Sequence, residues 1–148
     1  MKKFKFSLST VLSYKQQVLD ALQAEHAAVI AEVHAQEKKI QQLQDEYNAF
    51  AEEYRRRCQE GMDIREAVGH QAKLRARERE LEQENLLLQQ VRKKEEAKRA
   101  EVVEAKKETS SLEKLRDKKR TEYNAAMAKD EEKFIDEFIS SQRAGMSR

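Results

Sequence analysis

Glu60-Gly61-Met62-Asp63 is the first stretch at which a long helical pattern in this sequence is interrupted. Gly61 is one of 3 glycines among 148 residues, and the sequence contains no proline. Large apolar side chains recur with helical spacing before Gly61, and a second helical pattern follows Asp63, which stands at a capping position. We therefore predict that Gly61 lies at the tip of a helical hairpin. Gly69 lowers helix propensity just beyond it, so the turn is predicted to cover about 60–70.

The composition is typical of long, solvated helices. Charged residues make up 39% of the chain, the mean hydropathy is −0.98 and the formal net charge is +2. Disordered chains usually combine low hydrophobicity with high net charge, so the small net charge favours a folded chain. The predicted fold class is all-α, a long antiparallel two-helix coiled-coil hairpin whose C-terminal helix is the longer one. It is expected to form a single unit over 1–148, with arm one at about 7–59, arm two at about 71–141 and a short C-terminal tail.

Arm one carries a heptad pattern in which spacings of four and three alternate without interruption. Its fourteen positions are Leu8, Leu12, Lys15, Leu19, Leu22, His26, Val29, Val33, Gln36, Ile40, Leu43, Tyr47, Phe50 and Tyr54. Nearly seven heptads of this kind predict a left-handed coiled coil. Three of the positions, Lys15, His26 and Gln36, are polar, and we interpret them as side chains that set the register. A metal site at His26 and His34 is not expected, because no third ligand shares their face.

Arm two is less regular. Leu74, Leu81, Leu88 and Val102 share one heptad phase, but twelve of the seventeen residues in 92–108 are charged. This segment is expected to contribute ion pairs more than apolar core. The apolar pattern returns at Leu112 and Leu115 and then changes phase through Tyr123, Met127, Phe134 and Phe138.

The two arms differ in length, and the difference predicts a binding surface. Pairing about Gly61 joins residues whose numbers add to about 122 and sets Leu8 opposite the Leu112–Leu115 region, whereas a turn centred nearer residue 65 sets Leu8 opposite residues near 122. In either case the stretch from about Tyr123 to Ile139 extends beyond arm one. It carries five large apolar side chains, which are Met127, Phe134, Ile135, Phe138 and Ile139. Their burial would drive specific association with a partner. Alternatively, Phe4 and Phe6 fold back over this stripe, or the stripe serves only to dimerise the chain in a crystal.

The same end of the hairpin is predicted to be basic. Pairing brings the early lysines near a basic segment of arm two, so that a collar forms from Lys2, Lys3, Lys5, Lys15, Lys114, Lys118, Lys119 and Arg120. Such a collar would steer an acidic protein surface or anionic lipid headgroups. No nucleic-acid partner is expected, because the net charge is near zero and aromatic residues do not alternate with the basic ones.

Several other classes of function are not expected. No apolar run approaches the roughly 18 residues needed to cross a bilayer, and the basic start lacks an apolar segment behind it. We therefore expect no integral membrane segment and a cytoplasmic location. Cys58 is the only cysteine, which fits a reducing compartment. No phosphate loop, metal-ligand spacing or nucleophile constellation occurs, so we predict neither enzymatic activity nor a cofactor.

Three short segments carry a resemblance to a known family. They are Phe4-x-Phe6-x-Leu8-x-x-Val11-Leu12, Leu112-Glu113-Lys114-Leu115 followed by Lys118-Lys119 and Tyr123, and Glu132-Lys133-x-x-Asp136-Glu137. Together with the length, the two long arms and the glycine at the tip, these segments make nearly the whole chain similar to the flagellar export protein FliJ.

The resemblance implies a soluble, non-enzymatic component of the flagellar type III export apparatus, similar in form to the stalk of rotary ATPases. Members of the family insert the end bearing both termini into the ring of the export ATPase FliI and promote its assembly. They also contact the export gate protein FlhA and handle export chaperones. Such a component would be monomeric when free and peripherally associated with the membrane-embedded apparatus.

The resemblance also implies two candidate surfaces. The ring-facing one comprises Phe4, Phe6, Leu8, Lys114, Lys118, Lys119, Arg120, Tyr123, Met127, Phe134 and Phe138. The gate-facing one lies toward the tip, at Leu43, Tyr47, Phe50, Tyr54 and Leu74. An alternative is a homodimeric or prefoldin-like coiled-coil scaffold unrelated to flagella, in which the same heptad positions join separate chains. It predicts an extended dimer or a higher oligomer instead of a monomeric hairpin.

Overall fold

Two α-helices make up the computed structural model, which describes residues 2–146. Helix α1 spans Ser9–Glu60 and helix α2 spans Ile64–Met146, and no strand occurs in the described part of the chain. The all-α class and the longer C-terminal helix of the hairpin are confirmed.

The connection between the helices is short and depends on glycine. Gly61 directly follows α1 and has a φ of 101°, a left-handed conformation that strains residues with a Cβ. The Asp63 carbonyl accepts the first hydrogen bond of α2, from the Ala67 N–H at 3.0 Å. The connection is thus Gly61–Asp63, instead of the predicted 60–70.

The bounds of the second helix also differ from the prediction. Helix α2 begins at Ile64 and ends at Met146, where the sequence predicted about 71–141. Gly69 lies inside it. One glycine lowers helix stability by only about 1 kcal/mol relative to alanine, and the residues around it are good helix formers, so the helix continues through it.

The chain divides into two units, of which the first is Ala21–Val102. Within this unit the helices are antiparallel, because the residue number on α2 falls as the number on α1 rises. His26 Nε2 lies 2.9 Å from Glu95 Oε1, and Gln36 Nε2 donates to Glu84 Oε2 at 2.5 Å. These pairs match the pairing predicted for a turn at Gly61.

The core of this unit is a narrow seam. Val29, Leu81 and Leu88 are its buried residues among those described. Half-buried side chains continue the spacings of four and three along α2 through the charged segment, where Glu95 and Lys98 take seam positions. The seam therefore keeps its register there, with ionic side chains in place of apolar ones.

The second unit takes its described residues from Met1–Asp20 and Val103–Arg148. Its buried side chains are Phe6, Leu12, Ala105 and Thr109. Helix α1 begins with the Leu12 N–H donating to the Leu8 carbonyl at 2.9 Å. The Thr109 hydroxyl donates to the Ala105 carbonyl at 2.8 Å, so its burial leaves no polar atom unsatisfied.

Leu88 and Leu87 offer a matched test of the seam, because they are adjacent residues of one type that are 7% and 43% exposed. Leu88→Ala is expected to lower the free energy of unfolding by about 2–3 kcal/mol, and Leu87→Ala by less than about 1 kcal/mol. Urea denaturation followed by far-UV circular dichroism measures both. Equal losses would show that the seam is placed on the wrong face of α2.

Candidate protein-binding site

The N-terminal segment, residues 2–7, lies against α2. The rings of Phe4 and Tyr123 are 5.5 Å apart, and the Arg120 guanidinium lies 5.4 Å from the centre of the Phe4 ring. The Tyr123 hydroxyl donates a hydrogen bond to the Lys2 carbonyl. Phe6 is buried, with 9% of its surface exposed. An aromatic contact, a cation–π contact and a hydrogen bond thus fix the segment to one turn of α2.

These contacts move the start of the part of α2 that was predicted to extend beyond arm one. Tyr123, which was expected to lack an internal partner, packs on Phe4 and is half-buried, as is Met127 one turn later. From 128 to 146 every residue is exposed. The part of α2 that extends beyond the N-terminal segment therefore begins after Met127, because that segment lengthens arm one beyond the start of α1.

The exposed part of α2 carries an apolar face that we call the tail stripe: Phe134, Ile135, Phe138 and Ile139. These side chains are 70%, 55%, 55% and 44% exposed. Phe4 and Phe6 contact α2 near Tyr123, more than two turns before Phe134, so they do not cover the stripe. The alternative in which the N-terminus folds back over it is not what the structure shows.

The predicted collar divides into exposed cations and one cation that is paired across the seam. Lys2, Lys3, Lys5, Lys114, Lys118, Lys119 and Arg120 are exposed. Lys15 differs, because its ammonium group donates to Glu108 at 2.7 Å, a contact that raises the pKa of Lys15. Lys15 therefore belongs to the seam and not to the collar.

An open cavity of about 850 Å³ lies between the N-terminal segment and α2. We call it the terminal pocket, and its lining residues are Lys2, Lys3, Phe4, Lys5, Phe6, Ser7, Lys119 and Tyr123. All of these except Ser7, seven residues, were predicted as ring-facing or collar residues from the sequence. The concavity was not predicted, because it forms where a non-helical segment lies against a helix.

Two of the three polar seam residues of α1 meet a half-buried carboxylate of α2. Glu84 accepts from Gln36 and from Lys39 Nζ at 2.9 Å, and these bonds lower the pKa of Glu84. Glu95 accepts two bonds of 2.7 Å from Arg99 and contacts His26, and these bonds lower its pKa. A shift in register would separate Glu84 from Gln36 and Glu95 from His26, while Glu95 would keep its bonds from Arg99 on the same helix.

The residues predicted to face the export gate lie in the seam of the first unit. Leu43, Tyr47, Phe50, Tyr54 and Leu74 are all half-buried. The Tyr47 hydroxyl donates to Glu78 at 2.6 Å. Their side chains thus already serve the contact between the helices.

His70 and Arg77 complete this cluster, and sequence reasoning missed both. The His70 ring lies 5.4 Å from that of Phe50 and 5.6 Å from that of Tyr54, and the Arg77 guanidinium is 5.4 Å from the Phe50 ring centre. The signal was present, because the spacings of four and three from Leu74 reach both positions.

Two aliphatic residues near the turn are exposed. Ile64 and Val68 are 78% and 61% exposed. They lie one turn apart on α2 and off the seam that begins at Ala67. They form a small exposed apolar patch beside the connection.

Residues 2–146 contain no group of three or more His, Cys, Asp or Glu side chains placed to hold a metal ion. Within the same residues, neither helix has a stretch apolar enough to cross a bilayer.

Paired helices, a thin seam and exposed terminal surfaces define a coiled-coil hairpin that offers surfaces instead of an enclosed site. A family model described as Flagellar FliJ protein matches residues 4–147. The chain therefore belongs to the FliJ family, whose members are non-enzymatic components of flagellar protein export. Neither a curated protein nor a solved structure matches the chain.

Glu84 and Glu95 make stability sensitive to acid. A carboxylate whose pKa is lower in the folded state than in the unfolded chain stabilises the fold above the unfolded value, about 4.3, and loses that effect as pH falls through the folded value. We expect the free energy of unfolding to drop below about pH 5, and the drop to be smaller in Glu84→Gln/Glu95→Gln. Urea titrations across this range measure it.

The control for that measurement is Glu131→Gln/Glu132→Gln, which removes two exposed carboxylates of the tail. It is expected to keep the acid sensitivity of the unmodified chain. An identical pH profile in both double variants would contradict the role of the seam carboxylates.

The anchor of the N-terminal segment is tested by Tyr123→Phe, which removes the hydroxyl that donates to the Lys2 carbonyl. We expect faster tryptic cleavage after Lys3 and Lys5, with unchanged helix content, because the segment loses a hydrogen bond while the helices keep theirs. Tyr14→Phe, at a side chain that is 62% exposed, is the control. Unchanged cleavage in Tyr123→Phe would show that the hydroxyl does not hold the segment.

Proposed function

We propose that this chain is a stalk of the flagellar type III export apparatus that inserts its terminal end into the FliI ring and promotes the assembly or activity of that ATPase. Family membership supports the export role. The observation that carries the finer proposal is the tail stripe, an exposed apolar face on the part of α2 beyond Met127. The chain would be non-enzymatic, cytoplasmic and peripherally associated with the membrane-embedded apparatus.

The energetics of the tail stripe support insertion into a partner. Fully burying a large apolar side chain contributes about 1.5–3 kcal/mol. The four residues retain roughly half of their surface, so their burial would contribute on the order of 5 kcal/mol before ordering costs. The helix itself is already formed in the structure, which lowers the cost of ordering.

A second contact, with the export gate FlhA, is proposed for the tip. Leu43, Tyr47, Phe50, Tyr54 and Leu74 lie in the seam, so only the outer part of each side chain is available. The exposed pair Ile64 and Val68 adds apolar surface in the same unit. Export chaperones are proposed as further partners of the hairpin, because the family handles them.

The free protein is proposed to be monomeric. The fourteen heptad positions of arm one are all buried or half-buried within the single chain, which leaves no second seam for a parallel dimer. Membership in the FliJ family also favours an export role over a scaffold unrelated to flagella. Sedimentation equilibrium tests this, and a stable dimer of extended helices would overturn the monomeric hairpin.

Phe134→Ala/Phe138→Ala tests the tail stripe in the full chain. We expect at least about a fivefold loss in stimulation of the cognate FliI ATPase, because two exposed aromatic side chains that would be buried in the ring are removed. Helix content should be unchanged, since neither side chain packs internally. ATP hydrolysis measured against increasing hairpin concentration reports the effect.

The matched control is Leu86→Ala/Leu87→Ala, which truncates two side chains of α2 that are 59% and 43% exposed. It is expected to stimulate as the unmodified chain does. Full stimulation by the phenylalanine variant, or an equal loss in both variants, would refute insertion through the tail stripe.

A further inference from the structure

The terminal pocket combines positive charge with an apolar floor. Lys2, Lys3, Lys5 and Lys119 contribute ammonium groups, while Phe4, Phe6 and Tyr123 contribute aromatic surface. Because Phe4 is held by Tyr123 and Arg120, the floor is formed before any ligand arrives. A preformed site loses little conformational freedom on binding.

The charges in this pocket are largely unneutralised. Lysines that face across the seam have carboxylate partners, as Lys15 has in Glu108 and Lys98 in Glu25, both at 2.7 Å. Across residues 2–146, neither Lys2, Lys3 nor Lys5 forms an ion pair, and Lys119 has only Glu122 at 3.7 Å. The pocket therefore attracts an anionic ligand.

The charge of the neighbouring segment of α2 determines which kind of anionic ligand can bind. Residues 128–139 carry five carboxylates, at Asp130, Glu131, Glu132, Asp136 and Glu137, and two lysines. A bilayer or a nucleic acid presents negative charge over a wide area, which would also face this acidic segment of the same helix. No apolar side chain projects from the pocket for insertion into lipid either, because Phe6 is buried and the half-buried Phe4 ring is held against Tyr123.

We propose that the terminal pocket binds a short acidic peptide segment of a partner protein, with carboxylates at the lysines and an apolar side chain against Phe4 and Tyr123. The inference rests on the proposed function in one respect, that partners bind the end bearing both termini. It adds that the partner surface has two parts. An acidic segment meets the pocket, and an apolar surface with basic neighbours meets the tail stripe, about 20 Å further along α2.

Fluorescence anisotropy with a short labelled peptide of alternating glutamate and leucine tests the pocket in the full chain. We expect this peptide to bind at low salt at least about tenfold more tightly than a matched peptide of glutamine and leucine. Lys3→Gln/Lys5→Gln/Lys119→Gln should weaken binding by about tenfold, because three exposed ion pairs are lost. All three lysines are exposed, so helix content should not change.

Lys38→Gln/Lys73→Gln/Lys93→Gln removes the same charge from exposed positions outside the pocket and should bind as the unmodified chain does. Equal affinity for the glutamine peptide, or an equal effect of the two triple variants, would overturn the proposal. Sedimentation with phosphatidylglycerol-rich vesicles tests the lipid alternative. Vesicle binding that persists when the glutamate peptide does not bind would also overturn it.

The peptide assay contains no ATPase, so its failure is separable from failure of the proposed function. Lysine-dependent peptide binding by a chain that does not stimulate FliI would support the pocket and refute ring insertion. Stimulation of FliI by a chain that does not bind the glutamate peptide would overturn the pocket and leave ring insertion standing.

Discussion

The pairing of half-buried carboxylates on α2 with polar side chains on α1 is the constraint that fixes how the helices meet. An apolar seam alone repeats every seven residues, so it tolerates shifts of a whole heptad. Gln36 and His26 remove that freedom in the first unit, because each has one glutamate opposite it, Glu84 or Glu95, and a shift would break that contact between the helices. Within this unit, the register determines which side chains of α2 are exposed.

Much of the fold could be predicted because a hairpin uses local signals. The spacings on α1 and the glycine at 61 were enough to give two antiparallel helices of unequal length. The extent of the turn was overestimated because Gly69 is a weak breaker inside a long helix, whose neighbours hold it in register. The segment 92–108 was expected to have little apolar core because most of its residues are charged. The seam nevertheless continues through it, with Glu95 and Lys98 at positions that apolar residues occupy elsewhere.

The candidate site was less predictable, because it depends on a segment without helical periodicity. The sequence identified the basic and aromatic residues of the terminal end, but not which of them touch. Phe4 could have covered Phe134 or Tyr123, and only the path of residues 2–7 decides between them. That path explains both differences from expectation. It places Phe4 against Tyr123, which shortens the part of α2 that extends beyond arm one, and it leaves the terminal pocket between the segment and α2 beside Lys119.

Charge along the end of α2 is segregated, and this has a consequence for recognition. The helix is basic at Lys118, Lys119 and Arg120 and acidic from Asp130 to Glu137. Apolar contacts are non-directional, so the tail stripe alone would bind many different apolar surfaces. A partner that must also match two opposite charges in a set order can bind in only one direction along the helix, because the reversed orientation places like charges together. The tail stripe would thus supply affinity, while the order of the charges would determine which partner is accepted and in which orientation.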